Sequence, residues 1–151
     1  MNHKFSIITP AHKNTPYHKE LYDSILSQTY KNWEWILWLN NDIKRDLLPK
    51  EFEEDDRVTI YETDNTSKNV GYHKHHAFHK GTGDILVEVD SDDLIDPKCL
   101  QLLNDAYQDP EVGFAYSDAA IWDDTFVPYL AEHGWTHYPY KFRDKILTTM
   151  R

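Results

Sequence analysis

The chain has 151 residues, 40% of them hydrophobic, and a formal net charge of −10. That length suits one domain with a substantial core, and no apolar run reaches the roughly 20 residues that cross a bilayer. So large an excess of acid excludes a general nucleic-acid binder, which gains its affinity from Lys and Arg on phosphates. Cys99 is the only cysteine, so no internal disulfide forms, and the amino terminus enters a strand-like segment without the apolar core of a signal peptide. Both features lead us to expect a cytoplasmic protein.

Phe5-Ser-Ile-Ile-Thr is short and β-rich, is bounded by Pro10, and reads as a first buried strand with a loop at its carboxyl end. Thr15 and Pro16 read as a helix cap followed by proline in the first turn. Tyr17, Leu21 and Ile25 recur at helical spacing and carry that helix to about Gln28. Trp33-Glu-Trp-Ile-Leu-Trp-Leu is too apolar on both faces for an exposed edge and reads as a second strand. It ends in the polar loop Asn40-Asn-Asp. Residues 43–56 read as charged loop with a short helix, and Arg57-Val-Thr-Ile-Tyr as a third, weaker strand. Residues 72–80 suit a helix closed by Gly81-Thr-Gly.

The next strand, Ile85 to Val89, carries Asp90, Asp92 and Asp93 to its end. Asp96 then caps, and Pro97 starts, a helix with Leu100, Leu103 and Tyr107 on one face. Val112-Gly-Phe-Ala-Tyr reads as a further strand closing on Ser117 and Asp118. Strands alternating with helices predict an α/β domain, Rossmann-like, with a mostly parallel sheet and right-handed crossovers. Residues 1–118 form its core. Residues 119–151 are a short C-terminal segment rich in aromatics, among them Trp122, Phe126, Tyr129, Trp135, Tyr138 and Tyr140. Such residues wall a small pocket or an interface, and a homodimer is one way to bury them.

In an open α/β sheet, ligands bind beyond the carboxyl ends of the strands. The carboxylates of Asp90 and Asp92, one residue apart at such an end, make a hard-oxygen site suited to Mg²⁺ or Mn²⁺ carrying substrate phosphates. The plainer alternative is helix capping and turn formation, which also favours Asp and Ser. An EF-hand loop is excluded, because Ile95 stands where that loop needs glycine. An anionic ligand also needs a local exception to the acidic balance. Lys68, His73, Lys74, His75, His76, His79 and Lys80, with no acid among them, supply one, or else form a solvated helix face.

Several stretches in register resemble a known family. They are Ser6-Ile-Ile-Thr-Pro-Ala-His, the run from Leu21 through Gln28-Thr-Tyr to Asn32-Trp-Glu-Trp, Asn69-Val-Gly-Tyr with Lys74, Gly83-Asp-Ile-Leu, and Val89-Asp-Ser-Asp-Asp. Together they look like the nucleotide-binding half of a family 2 glycosyltransferase. The resemblance implies the type A glycosyltransferase fold and a UDP-sugar donor bound with Mn²⁺ or Mg²⁺. It implies further that Pro10, Ala11 and His12 pack around the base and ribose, with His12 replacing a common Tyr. Lys74 matches a basic position near the base and phosphates. Asp90 matches the ribose-holding carboxylate and Asp92 the metal-binding one, with Ser91 between them in the nucleotide-sugar contact set.

The chain departs from the family pattern in two places. Asn40, Asn41 and Asp42 stand where paired Asp residues followed by Gly-Ser are usual, so Asn40 meets the base with an amide that both donates and accepts. Family members also commonly continue for roughly another hundred residues, where the acceptor site and general base lie. An inverting transfer to the hydroxyl of a carbohydrate or glycoconjugate acceptor needs such a base. The candidates here are Asp118, Asp123, Asp124, Glu132 and His133, with Asp118 first, and His133 is also a candidate metal ligand.

Three readings follow. The first is a metal-dependent transferase that moves a hexose from a UDP-sugar with inversion. The second is a nucleotide-sugar-binding subunit or remnant without efficient transfer. The third is a phosphotransferase of the haloacid dehalogenase type with Asp90 as nucleophile, which would place the acidic motif on the first strand.

Overall fold

The computed structural model describes residues 1–40, 43–65, 67 and 69–117, and the strand backbone at 120–121 and 127–128. The chain divides into two compact units, Met1–Asp105 and Ala106–Arg151. In the first unit β1 (Phe5–Ala11), β2 (Trp33–Leu39), β3 (Val58–Glu62) and β4 (Ile85–Glu88) form a wholly parallel sheet in the order β3-β2-β1-β4. Helices α1 (Tyr17–Leu26), α2 (Glu51–Glu54), α3 (Val70–Phe78) and α4 (Cys99–Ala106) alternate with them. The strand order reverses at β1: β2 and β3 build outward on one side, and β4 returns to the other. The carboxyl ends of β1 and β4 therefore flank a topological switch point, where an open sheet offers a crevice.

Both faces of β1 and β2 are covered, which is why their sequences read as continuous apolar runs. On one face Phe5, Ile7, Trp35 and Leu37 pack with Leu21, Tyr22 and Ile25 of α1 and Leu100 of α4. On the other, Ile8, Ile36 and Trp38 pack with Ala77 of α3. The Trp35 ring lies 5.2 Å from Phe52 and 5.7 Å from Tyr22, and its Nε1 donates to Thr9 Oγ1 at 3.0 Å. The largest core side chain is thus buried with its polar atom satisfied.

Several boundaries and faces differ from the sequence reading. The inward stripe of α1 is His18, Leu21, Tyr22 and Ile25, while Tyr17 is 49% exposed. Pro16, not Thr15, occupies the cap, with no side-chain capping bond. Helix α3 begins at Val70, two residues early, because Asn69 Oδ1 accepts from Tyr72 N at 3.2 Å. The expected strand at Val112–Tyr116 does not form. That segment is irregular, with Phe114 40% and Tyr116 42% exposed, so its apolar residues lack the two covered faces that hold β1 and β2. In the second unit β5 (Ala120–Ile121) and β6 (Val127–Pro128) pair antiparallel. The aromatic segment's side chains from Trp122 onward lie outside the described residues.

Glu34 ties the amino ends of β1, β2 and β4 together. Its carboxylate accepts from Lys4 Nζ, Ser6 Oγ and Thr82 N, each at 2.6 Å, and from Thr82 Oγ1 at 2.9 Å. Burial alone would raise its pKa, but these donors outweigh it and hold the group down at about 2, against an ordinary 4.5. A depressed carboxyl stabilises the fold above its unfolded pKa, and that contribution is lost as pH falls toward about 2. Glu34→Gln should therefore cost about 3 kcal/mol near neutral pH. Denaturant titrations of both proteins between roughly pH 6 and pH 2 check this, since the difference between them should shrink steadily through that window.

Candidate functional site

A cleft of about 910 Å³ opens at the carboxyl ends of the strands in the first unit. The end of β1 contributes Pro10, His12, Lys13 and Asn14, the end of β2 contributes Asn40 and Ile43, and the amino end of α3 contributes Val70, His73 and Lys74 after Ser67. The turn after β4 contributes Asp90, Ser91 and Asp92. Of the residues expected around a nucleotide, Pro10, His12, Asn40, Lys74, Asp90, Ser91 and Asp92 thus share one cavity. Ala11 does not line it; its side chain is fully buried beneath, on the core face of β1. Asp118 and His133 lie outside the described residues, as do Asn41, Asp42 and Lys68.

Backbone pairing sets the shape of the wall. Asn40 N donates to Ala11 O at 3.0 Å, which holds the ends of β1 and β2 level. Asn40 is 7% exposed, and its Oδ1 has no hydrogen-bond partner among the described residues. An acceptor buried at a cavity wall is costly unless a ligand donor meets it. Across the cleft, a ladder of side-chain turns leads into α3. Thr63 Oγ1 accepts from Asn65 N, Asn65 Oδ1 from Ser67 N, and Ser67 Oγ from Asn69 N, at 3.1, 2.8 and 3.2 Å. The alternation Thr63, Asn65, Ser67, Asn69 was visible in the sequence, and its i to i+2 spacing is the signal that would have found this loop.

The basic stretch on α3 separates into two groups. Lys74 Nζ pairs with Glu88 Oε1 and lies 3.3 Å from Asp90 Oδ1; the Glu88 bond raises its pKa. His73 is 2% exposed, donates from Nε2 to Ser67 O at 2.8 Å and accepts at Nδ1 from Trp38 Nε1 at 3.3 Å. It braces the loop and is not part of a cationic patch. His76 lies against Tyr72 and Trp38, and His75 against His79, on parts of the helix that do not line the cleft.

The acidic turn carries excess negative charge. Asp93 N bonds back to Asp90 O at 3.2 Å, closing the turn. Desolvation, and then the charges of Asp90 and Asp92, push the Asp93 carboxyl above its usual range. Among the described residues no three His, Cys, Asp or Glu side chains gather closely enough to hold a metal alone. Two carboxylates beside a third that they repel suit a divalent cation whose remaining oxygens come from phosphates and water. The acidic motif follows the fourth strand in chain order, which removes the haloacid dehalogenase arrangement.

The model of the family described as "Glycosyl transferase family 2" matches residues 6–149. No curated protein gives a significant match. The fold is similar to the crystal structure of S. aureus TarS 1-349 in complex with UDP, at 22% identity and a TM-score of 0.62, over 72% of this chain and 32% of that one. TarS 1-349 in complex with UDP-GlcNAc matches at 23% identity and a TM-score of 0.59, over 70% and 30%. The mannosyltransferase PcManGT from Pyrobaculum calidifontis, in complex with GDP-Man and Mn²⁺, matches at 24% and 0.61, over 75% and 34%. The chain spans about a third of the length of each of these structures.

Proposed function

The chain belongs to glycosyl transferase family 2, and from that premise we propose that it binds a nucleoside diphosphate sugar, a UDP-sugar first, and transfers its hexose to an acceptor hydroxyl with inversion. The observation that carries this reading is the cleft at the β1/β4 switch point. It brings an acceptor without a partner among the described residues, Asn40 Oδ1, into one cavity with a paired lysine and two carboxylates. Relatives of the same fold held UDP, UDP-GlcNAc, or GDP-Man with Mn²⁺, which supports the same ligand class here.

Each wall has a distinct task under this proposal. Asn40 Oδ1 accepts an N–H from the base, and the His12 ring stacks against it. Asp90 and Asp92 would hold Mn²⁺ or Mg²⁺; bound there, the cation offsets the negative charge that develops on the departing diphosphate. Lys74 exchanges Glu88 and Asp90 for a phosphate oxygen, so its charge becomes available only as the ligand arrives. Asp118 is proposed, on sequence grounds alone, as the base that takes the acceptor proton.

The test measures nucleotide binding by thermal shift for UDP, GDP and several UDP- and GDP-sugars with Mn²⁺ or with EDTA, followed by UDP release over time. A Mn²⁺-dependent rise in midpoint, greatest for UDP ligands, and steady release are expected. Binding without release would reduce the protein to a carrier module. No binding of any nucleotide would refute the proposal.

A further inference from the structure

Helix α1 buries one polar residue in its apolar stripe. His18 is 1% exposed, and neither ring nitrogen has a hydrogen-bond partner among the described residues. Thr15 Oγ1, three residues earlier, is likewise buried without a partner among them. Trp33 Nε1 and Asn40 Oδ1 are also buried without a partner among the described residues, whereas Gln28, fully buried, donates to Asp96 O at 2.7 Å and accepts from Leu100 N at 3.1 Å. His18 differs in having both ring nitrogens open, three residues from an open hydroxyl, and such a pair calls for a partner that arrives.

The path of the acidic turn identifies that partner. The chain after β4 runs in the same direction as α1 and the turn that follows it, pinned at three points: Ile95 N to Ser24 Oγ at 3.4 Å, the Gln28 amide to Asp96 O, and Thr29 N to Pro97 O at 2.7 Å. From Ser24 back to His18 is about 9 Å of helix at 1.5 Å per residue. From Ile95 back to Asp92 is at most about 10 Å of extended chain. The two paths match, so the Asp92 carboxylate is within reach of the first turn of α1. Electrostatics agrees: burial pushes the His18 imidazole down, and the Asp92 charge acts on it in the opposite direction.

Resting on the reading proposed above, we infer that His18 is a positioning residue: when Asp92 engages the cation on the diphosphate, an N–H of the His18 ring donates to the carboxylate and fixes its orientation. The Thr15 hydroxyl then donates to the other ring nitrogen. Carboxylates that hold metals are commonly oriented by such a bond from behind, and losing it typically costs tenfold or more in affinity. A purely apolar role for His18 would not explain a buried imidazole with both nitrogens open.

Calorimetric titration of UDP into wild type, His18→Leu and His18→Asn, each with Mn²⁺ and with EDTA, tests this. In His18→Leu the Mn²⁺-dependent affinity should fall about tenfold while the affinity in EDTA is unchanged, and His18→Asn should recover much of it. Mn²⁺-dependent affinity kept within about twofold in His18→Leu, or lost equally in Mn²⁺ and EDTA, would overturn the role. A measurement free of any folding defect uses wild type alone: adding UDP with Mg²⁺ should shift the His18 ring ¹⁵N resonances, and an unmoved ring refutes the inference. Failure of wild type to bind UDP at all would instead remove the reading on which the inference rests.

Discussion

Replacing Asp92 with asparagine should lower UDP release from a UDP-sugar by about a thousandfold, or roughly 4 kcal/mol of transition-state stabilisation. The substitution keeps the size of the side chain and one oxygen, so the turn closed by the Asp93 N to Asp90 O bond has no steric reason to open. What it removes is a formal charge and a strong oxygen donor from the pair that faces the cleft. With one carboxylate left, a divalent cation binds weakly, and the charge developing on the leaving diphosphate loses its main counterweight. Asp93→Asn is the matched control. Its carboxyl does not line the cleft and is already pushed toward the neutral form by desolvation and by Asp90 and Asp92, so its removal should change turnover by less than about tenfold. Steady-state UDP release at saturating Mn²⁺ separates the two variants. An Asp92→Asn protein within tenfold of wild type, with unchanged Mn²⁺ dependence, would overturn the metal reading of this turn.

The type A glycosyltransferase arrangement implied by the sequence is the one observed, and its legibility varied with how locally each feature is encoded. β1 and β2 were plain because both their faces are buried, which writes an unbroken apolar run. The cleft was legible for a related reason: Pro10 lies at the end of β1, Asn40 follows β2, Asp90 and Asp92 follow β4, and Lys74 sits on the helix before β4, all near element ends that the sequence punctuates. His18 was not legible. Hydrophobicity assigned the inward face of α1 to Tyr17, yet the chain turns Tyr17 outward and buries an imidazole, because the stripe is set by the arc through Leu21, Tyr22 and Ile25. The strand expected at Val112–Tyr116 failed for the opposite reason, since β-propensity there has no covered faces to act on. Glu34 was also missed: its partners, Lys4 and Ser6 on one segment and Thr82 on another, lie far from it in sequence, and no local pattern announces such a knot.

That knot lies next to the second large effect, Gly83→Ala, which should destabilise the protein by about 3 kcal/mol and lower its melting midpoint by about 10 °C. A Cβ at Gly83 would stand 2.5 Å from Lys4 O and 2.8 Å from Ser6 N, both backbone atoms of the neighbouring segment, and 2.8 Å from Ser6 Oγ. Backbone cannot rotate aside, so the entry to β4 must move away from β1. That movement strains Gly83 N to Ser6 Oγ at 2.7 Å, Lys4 N to Asp84 Oδ2 at 2.8 Å, Ile85 N to Lys4 O at 3.2 Å and the Thr82 bonds to Glu34. Gly81→Ala is crowded less by backbone: its Cβ meets Leu86 Cδ2 at 2.7 Å, which can swing aside, and Ser6 Cβ at 2.9 Å, which moves only with β1, so a smaller cost of about 1–2 kcal/mol is expected. Gly113→Ala meets nothing within 4 Å and should be close to neutral. Because β4 delivers Asp90 and Asp92, the folded fraction of Gly83→Ala should also bind UDP with Mn²⁺ more weakly, whereas Gly81→Ala should not. A Gly83→Ala midpoint within about 2 °C of wild type would mean that the β1/β4 junction is looser than this packing allows, and the placement of the acidic turn over α1 would lose its anchor.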